Sequence, residues 1–258
     1  MPRPMRGIFI TGASTGIGSA LARHYASADT AMGLLARRRE LLEPLAATLP
    51  GQCSLYAADV TDAVAVEAAA RDFTARFGPP ELVIANAGIS VGTRGDDLRD
   101  IAKLRRVLDV NVSGLALTLA AFAPALRAAR AGTLCGIASV AGYRGLPGAG
   151  AYSASKAAAL CWLEALRAEL AGSGVSVVTI CPGYVDTPMT EVNRYRMPFL
   201  ITADDAAKRI ARAIDARRRH AVIPWQMALL APILAALPGW LYDRLTARAP
   251  RKPRDLPL

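Results

Sequence analysis

Gly7-Ile8-Phe9-Ile10, followed by Thr11-Gly12-Ala13-Ser14-Thr15-Gly16-Ile17-Gly18, reads as a short buried strand running into a glycine turn. The pattern Ala20, Leu21, His24, Tyr25 then marks a helix. Glycines at 12, 16 and 18 let the chain turn tightly and approach a pyrophosphate. Amide groups and the positive end of the helix dipole would meet its charge. The spacing G-x-x-x-G-x-G departs from the dinucleotide fingerprint G-x-G-x-x-G, so the turn alone leaves a plain glycine-rich loop open.

The alternation continues along the chain. Ala31 to Ala36 is a second strand, and Cys53 to Ala57 a third that ends at Asp59-Val60. A helix bearing Val64, Ala68, Ala69, Phe73 and Phe77 stops at Gly78-Pro79-Pro80, and Glu81 to Ala85 runs as a fourth strand into Asn86-Ala87-Gly88. Leu104 to Ala129 is mostly helical around Asn111 and Gly114, Gly132 to Ile137 is a fifth strand, and Val175 to Ile180 a sixth. Thr202-Ala203-Asp204-Asp205 forms a capping box before a further helix, and Val222 to Trp225 is read as a seventh strand. Alternating strands and helices call for a doubly wound α/β domain, a parallel sheet covered on both faces. Its ligands bind beyond the carboxyl ends of the strands, where Gly12, Asp59, Asn86 and Ser139 fall.

The second strand ends about twenty residues past the glycines, where an NAD site places an acidic residue on the ribose hydroxyls. Here stand Ala36 and then Arg37, Arg38 and Arg39. An absent carboxylate and an arriving guanidinium favour the 2′-phosphate of NADP(H).

Tyr152-Ser153-Ala154-Ser155-Lys156 opens an apolar helix that runs to Leu170. Four residues apart, Tyr152 and Lys156 project from one helix face, placing an ammonium beside a phenol. A cation there lowers the phenol pKa and fits it for acid–base work. The chain has only four lysines, and one falls here. Taken alone, Y-x-x-x-K also describes an exposed helix with a snorkelling lysine.

The net charge is +10, but residues 217–258 hold eight basic and two acidic side chains, leaving 23 basic and 19 acidic before them. A local excess of this kind argues against a nucleic-acid partner. Cys53, Cys135, Cys161 and Cys181 are widely separated and lack metal-ligand spacing, which suggests no metal and a reducing, cytoplasmic compartment. Met1 to Arg6 is too short for a signal peptide. Residues 220–242 contain no Asp, Glu, Lys or Arg. Pro224, Pro232, Pro238 and Gly239 should break this run into short helices that form a substrate lid, a subunit contact or a membrane-surface segment through 225–254.

Over nearly its whole length the chain resembles the short-chain dehydrogenase/reductase family. Thr11 to Gly18 is similar to the family's cofactor turn, Asp59 to its adenine-side aspartate, and Asn86-Ala87-Gly88 to its sheet-stabilising motif, although Ala85 replaces the asparagine often found first. Ser139 precedes Tyr152 by the family's thirteen residues, and Pro182-Gly183 to Thr187 resembles the segment that closes over the nicotinamide.

The resemblance implies a catalytic set of Asn111, Ser139, Tyr152 and Lys156. It also implies cofactor contacts from Gly12, Ser14, Thr15, Gly16, Ile17, Gly18, Arg37, Asp59, Val60, Asn86, Ala87, Gly88, Tyr152, Lys156, Pro182, Gly183, Val185 and Thr187. The expected protein is an NADP(H)-dependent oxidoreductase, with NAD(H) as the alternative cofactor, interconverting a small to medium apolar carbonyl and alcohol. It would consist of a catalytic domain over 1–224 with an extension over 225–258, assembled as a homodimer or homotetramer. A non-catalytic NADP(H)-binding redox sensor is the alternative, and an epimerase or dehydratase with the same Tyr–Lys pair would need more chain for a sugar-binding domain.

Overall fold

The structure is a computed structural model that describes residues 5–247, 249 and 251–256. In chain order it contains β1 (Arg6–Thr11), α1 (Gly16–Tyr25), β2 (Thr30–Ala36), α2 (Arg39–Ala47), β3 (Gln52–Ala57), α3 (Ala63–Phe77) and β4 (Leu82–Ala85). There follow α4 (Ile101–Leu108), α5 (Gly114–Ala129), β5 (Thr133–Ile137), α6 (Gly150–Glu169), β6 (Ser176–Pro182), β7 (Val185–Asp186) and α7 (Pro188–Glu191). The described chain closes with β8 (Ile201–Thr202), α8 (Ala203–Asp215), β9 (His220–Ile223), α9 (Trp225–Ala236) and α10 (Gly239–Thr246).

Seven strands form one parallel sheet in the order β3-β2-β1-β4-β5-β6-β9, while β7 and β8 make a small separate pair. The order reverses at β1 and β4, which pair directly, so their carboxyl ends frame the crevice where such sheets bind ligands. Side chains alternate across the sheet. Ile8 and Ile10 pack with Leu21 of α1, Leu42 of α2 and Ile210 of α8 on one face. Phe9, between them, packs with α3, α5 and α6 on the other. There it meets Phe73 edge-on with ring centres 5.5 Å apart and lies 4.7 Å from Phe122. Gly33 makes the room, since a Cβ at that position would lie 2.3 Å from the Phe9 ring. Truncating Phe9 to alanine would cost about 3–5 kcal/mol.

Helix α8 is capped by Thr202, whose hydroxyl accepts from the Asp205 amide. The reciprocal half of the box is absent because the Asp205 carboxylate turns to Arg209. Two expectations for the tail need correction. The last sheet strand ends at Ile223, and Trp225 begins α9, because Pro224 has no N–H to continue the ladder. Pro232 lies inside α9 and does not end it; it forfeits one backbone bond, to the carbonyl of Ala228, and the helix carries on. The run breaks at Pro224, between strand and helix, and again at the Pro238 region, where α10 turns by 119°. Arg248, counted among the basic residues of the tail, lies outside the described residues.

The end of the chain returns as a strap. The Gly92 amide donates to the Pro253 carbonyl, and the Arg254 guanidinium reaches Asp97 at 2.6 Å and Asp100 at 2.9 Å. Leu256 packs on the small cluster of Val91, Val107 and Ala151.

Candidate active site

The carboxyl ends of β1, β2, β4, β5 and β6 open on one cleft of about 250 Å³. At its floor, Gly12 has φ +65°, and a Cβ there would lie 2.7 Å from Ala87. The Asn86 side-chain amide donates to the carbonyls of Thr11 (3.2 Å) and Gly12 (3.1 Å), tying the turn to the end of β4. Thr15 precedes α1 without a side-chain cap, and the first turn holds no acid. The helix amides and dipole are therefore free for an anion, and Ser14, Thr15, Gly16 and Ile17 line the cleft beside them. These features fit a dinucleotide pyrophosphate. Gly18 does not line the cleft; it packs beneath the turn, where a Cβ would lie 2.2 Å from the Gly12 carbonyl oxygen.

Ala36, Arg37 and Arg38 line the far end. Nearby, Asp59 accepts from the Thr61 amide (3.0 Å) and hydroxyl (2.8 Å) and pairs with Arg106 at 2.6 Å. Burial pushes the Asp59 carboxyl up, but these bonds outweigh it and hold the group below its ordinary value. Arg106 lines the cleft and was missed in the sequence; it follows Asp59 by 47 positions, and no local signal links them. Val60 explains Gly114, where a Cβ would lie 2.6 Å from a Val60 methyl.

Asn111 sits in a π-helical turn, Asp109–Ser113, between α4 and α5. Fully buried, it accepts from the Ile89 amide (2.8 Å) and donates to the Ile89 carbonyl (3.0 Å) and the Ser155 hydroxyl (2.9 Å). It therefore lies behind the cleft wall, and a Cβ on Gly88 would touch both Asn111 and the Lys156 ammonium.

Ser139, Tyr152 and Lys156 come together in the cleft. Ser139 caps a short 3₁₀ turn through the Ala141 amide (3.1 Å), which fixes its hydroxyl at the end of β5. Lys156 is buried, donates to the Ile137 carbonyl at 2.8 Å, and lies 5.8 Å from the centre of the Tyr152 ring. The expected lowering of the Tyr152 phenol by Lys156 is not found. Burial pushes the phenol up, opposed by a hydrogen bond with Ser139, and burial draws Lys156 down to about 8, weakening the cation itself.

Pro182, Gly183, Val185 and Thr187 close the opposite wall, and a Thr187 carbon would lie 3.0 Å from a Cβ on Gly16. Thr187 forms a reciprocal capping box with Thr190, which orients α7 over the cleft. The Tyr143 hydroxyl is hydrogen-bonded to His220 Nε2. Met189 also lines the cleft, and its carbonyl accepts from buried Lys252 of the strap at 2.9 Å.

Sequence comparison agrees with this geometry. The short chain dehydrogenase family pattern matches residues 6–197. An uncharacterized oxidoreductase of Myxococcus xanthus is 36% identical over 94% of this chain and 97% of its own. Sulfoacetaldehyde reductase of Chromohalobacter salexigens is 32% identical over 79% of this chain and 85% of its own. An alcohol dehydrogenase of Thermococcus sibiricus, solved with 5-hydroxy-NADP, aligns with a TM-score of 0.74 at 26% identity, covering 85% of this chain and 96% of its own. The chain belongs to the short-chain dehydrogenase/reductase family. It is an oxidoreductase of a family that uses NAD(H) or NADP(H) and acts on small carbonyl or alcohol substrates.

Proposed function

We propose that the protein is an NADP(H)-dependent reductase that interconverts a small to medium apolar carbonyl with its alcohol. The observation that carries this reading is the meeting of Ser139, Tyr152 and Lys156 on one wall of a cleft whose floor is the Gly12–Ile17 turn. When bound, the nicotinamide supplies the hydride for reduction or accepts it in oxidation. Ser139 hydrogen-bonds the substrate oxygen, and Tyr152 gives that oxygen its phenolic proton as the C–O bond is reduced. Lys156 holds the ribose hydroxyls and stabilises the phenolate left behind. Asn111, adjacent to Lys156 behind Gly88, continues the path by which Tyr152 regains a proton from water.

Arg37, with Arg38 beside it, would meet the 2′-phosphate, and no carboxylate at Ala36 would hold the ribose hydroxyls of NAD(H). Asp59 and Val60 would flank the adenine; Pro182, Gly183, Val185 and Thr187 would flank the nicotinamide. The same reading takes residues 1–224 as the catalytic domain with 225–258 appended, acting in the cytoplasm as a homodimer or homotetramer. NADPH absorbance followed against ketosteroids, medium-chain aldehydes, quinones and retinal tests it. Tight NADPH binding without turnover on any of them, or on the matching alcohols with NADP⁺, would favour the binding-only alternative.

A further inference from the structure

Apart from half-buried Gln226, helix α9 is apolar all round, and Trp225 (64% exposed), Leu229 (61%) and Ile233 (58%) face outward with Trp240 of α10 (70%). A helix on the surface of a globular domain normally turns a polar face to water. The patch has no acidic or basic residue between 220 and 242, and a tryptophan stands near each end of that run. Tryptophan suits the headgroup boundary because its ring is apolar and its N–H polar.

The loop before β8 extends the apolar surface. Phe199 and Leu200 are each 43% exposed, and Phe199 is held at φ +56°, a left-handed conformation strained for an aromatic residue. That loop and α9 abut the same turn: Ile201 donates to the Tyr184 carbonyl, and Met227 of α9 would crowd a Cβ on Gly183.

Arg194, Arg196 and Arg244 are exposed on these segments, and among the described residues none is paired with a carboxylate. We propose that this face seats on an anionic bilayer surface, and that the neighbouring cleft draws its apolar carbonyl or alcohol from the lipid. The second clause rests on the carbonyl-reductase reading above.

Three observations favour lipid as the occupant. The three arginines outnumber the exposed Glu191 and Asp243 of the same segments and complement anionic headgroups, whereas a two-fold contact with a second copy would set that excess of like charge against itself. The twelve residues of α9 reach only about 18 Å at 1.5 Å per residue, too short to span a bilayer core of about 30 Å. The 119° turn into α10 then suits two short helices lying along a surface.

The face is also joined to the catalytic wall. Arg144 donates to the Ala235 carbonyl and stacks on Tyr242, whose hydroxyl donates to the Gly145 carbonyl. Arg144 and Gly145 lie on the loop between Ser139 and Tyr152, and Gly183 lines the cleft itself.

The test is co-sedimentation of the full chain with phosphatidylglycerol vesicles and with phosphatidylcholine vesicles. Wild-type protein should pellet with the first, weaken as salt rises, and bind the second poorly. Trp225→Gln with Ile233→Gln changes two exposed residues that do not line the cleft, so it should lose vesicle binding while keeping its unfolding midpoint. It should also keep its rate on a water-soluble aldehyde and lose rate on a carbonyl dissolved in the vesicles. Wild-type protein that ignores both vesicles, with the double variant turning an oligomer into monomers, would assign the face to a second copy and overturn the proposal. Vesicle binding with equal rates of wild type and variant on the lipid-borne carbonyl would overturn the substrate clause alone. The soluble aldehyde reads the reductase itself, so failure there is distinguishable from failure of docking.

Discussion

The Lys156 ammonium donates to the carbonyl oxygen of Ile137 at 2.8 Å while lying 5.8 Å from the centre of the Tyr152 ring. The end of β5 thus anchors the lysine, and α6 aligns it with the phenol one helical turn away. Burial draws the ammonium down to about 8, so it loses its proton within an accessible pH range. Cofactor binding that uses this charge is complete below about pH 8 and fades as pH rises through it. Burial keeps Tyr152 and Cys181 protonated there, with Cys181 pushed up to about 12. Fluorescence titration of NADPH should show weaker binding at about pH 9.5 than at about pH 7, with Lys156→Met weak at both. An unchanged dissociation constant in the wild type would contradict the role.

Tyr152→Phe deletes one hydroxyl and keeps the ring. Turnover should fall about a hundredfold to ten-thousandfold, as for loss of a general acid. The NADPH dissociation constant should change little. More than half the wild-type rate in the variant would remove Tyr152 from the mechanism.

Arg37 and Ala36 decide cofactor choice in the proposed reading. Arg37→Ala should weaken NADPH selectively, since a hydrogen bond to a charged group contributes roughly 1.5–3 kcal/mol, or tenfold and more in the preference. Ala36→Asp should move the balance further toward NADH by repelling the 2′-phosphate. Comparing kcat/KM for the two cofactors in each variant is the check, and equal wild-type values would defeat the assignment.

Arg254 is the hinge pin of the strap. Hydrogen bonds from Arg254 and the Arg94 amide hold the Asp100 carboxyl down at about 2, against an ordinary value near 3.8. Stability from this pairing is present above the ordinary value and lost as pH falls through about 2. Arg254→Ala should lower Tm at neutral pH, and its deficit against wild type should shrink as pH falls from about 4 toward about 2. A pH-independent deficit would point to lost packing instead.

The sheet was legible because its strands are short apolar runs separated by helical patterns, and the reversal at β1 and β4 follows from parallel winding. That Ser139, Tyr152 and Lys156 would share one cleft was legible through the family resemblance, which ties their spacing along one stretch of chain to one site. Arg106 was not, because its pairing with Asp59 depends on how α4 lies beside β3. The strap was equally hidden: nothing near Lys252 in the chain indicates that its ammonium meets the Met189 carbonyl. Pro232 was misread because helix-breaking was judged from propensity, whereas one missing backbone bond is tolerated in α9. The direction of the Tyr152 shift also needed depth of burial, which a neighbouring lysine in the sequence does not convey.

Arg254 meets Asp97 across 157 positions of chain. At a synthesis rate of roughly 5–20 residues per second, on the order of ten seconds or more separate the two residues as they leave the ribosome. The glycine turn, Asp59 and Asn86 emerge well before then. In a growing chain the residues of the cleft floor are therefore out first, and the loop at 92–100 and Met189 are fastened only once Lys252 to Leu256 have followed. During that interval Val91 and Val107 lack Leu256 over them, so this corner would offer a folding helper apolar surface to hold.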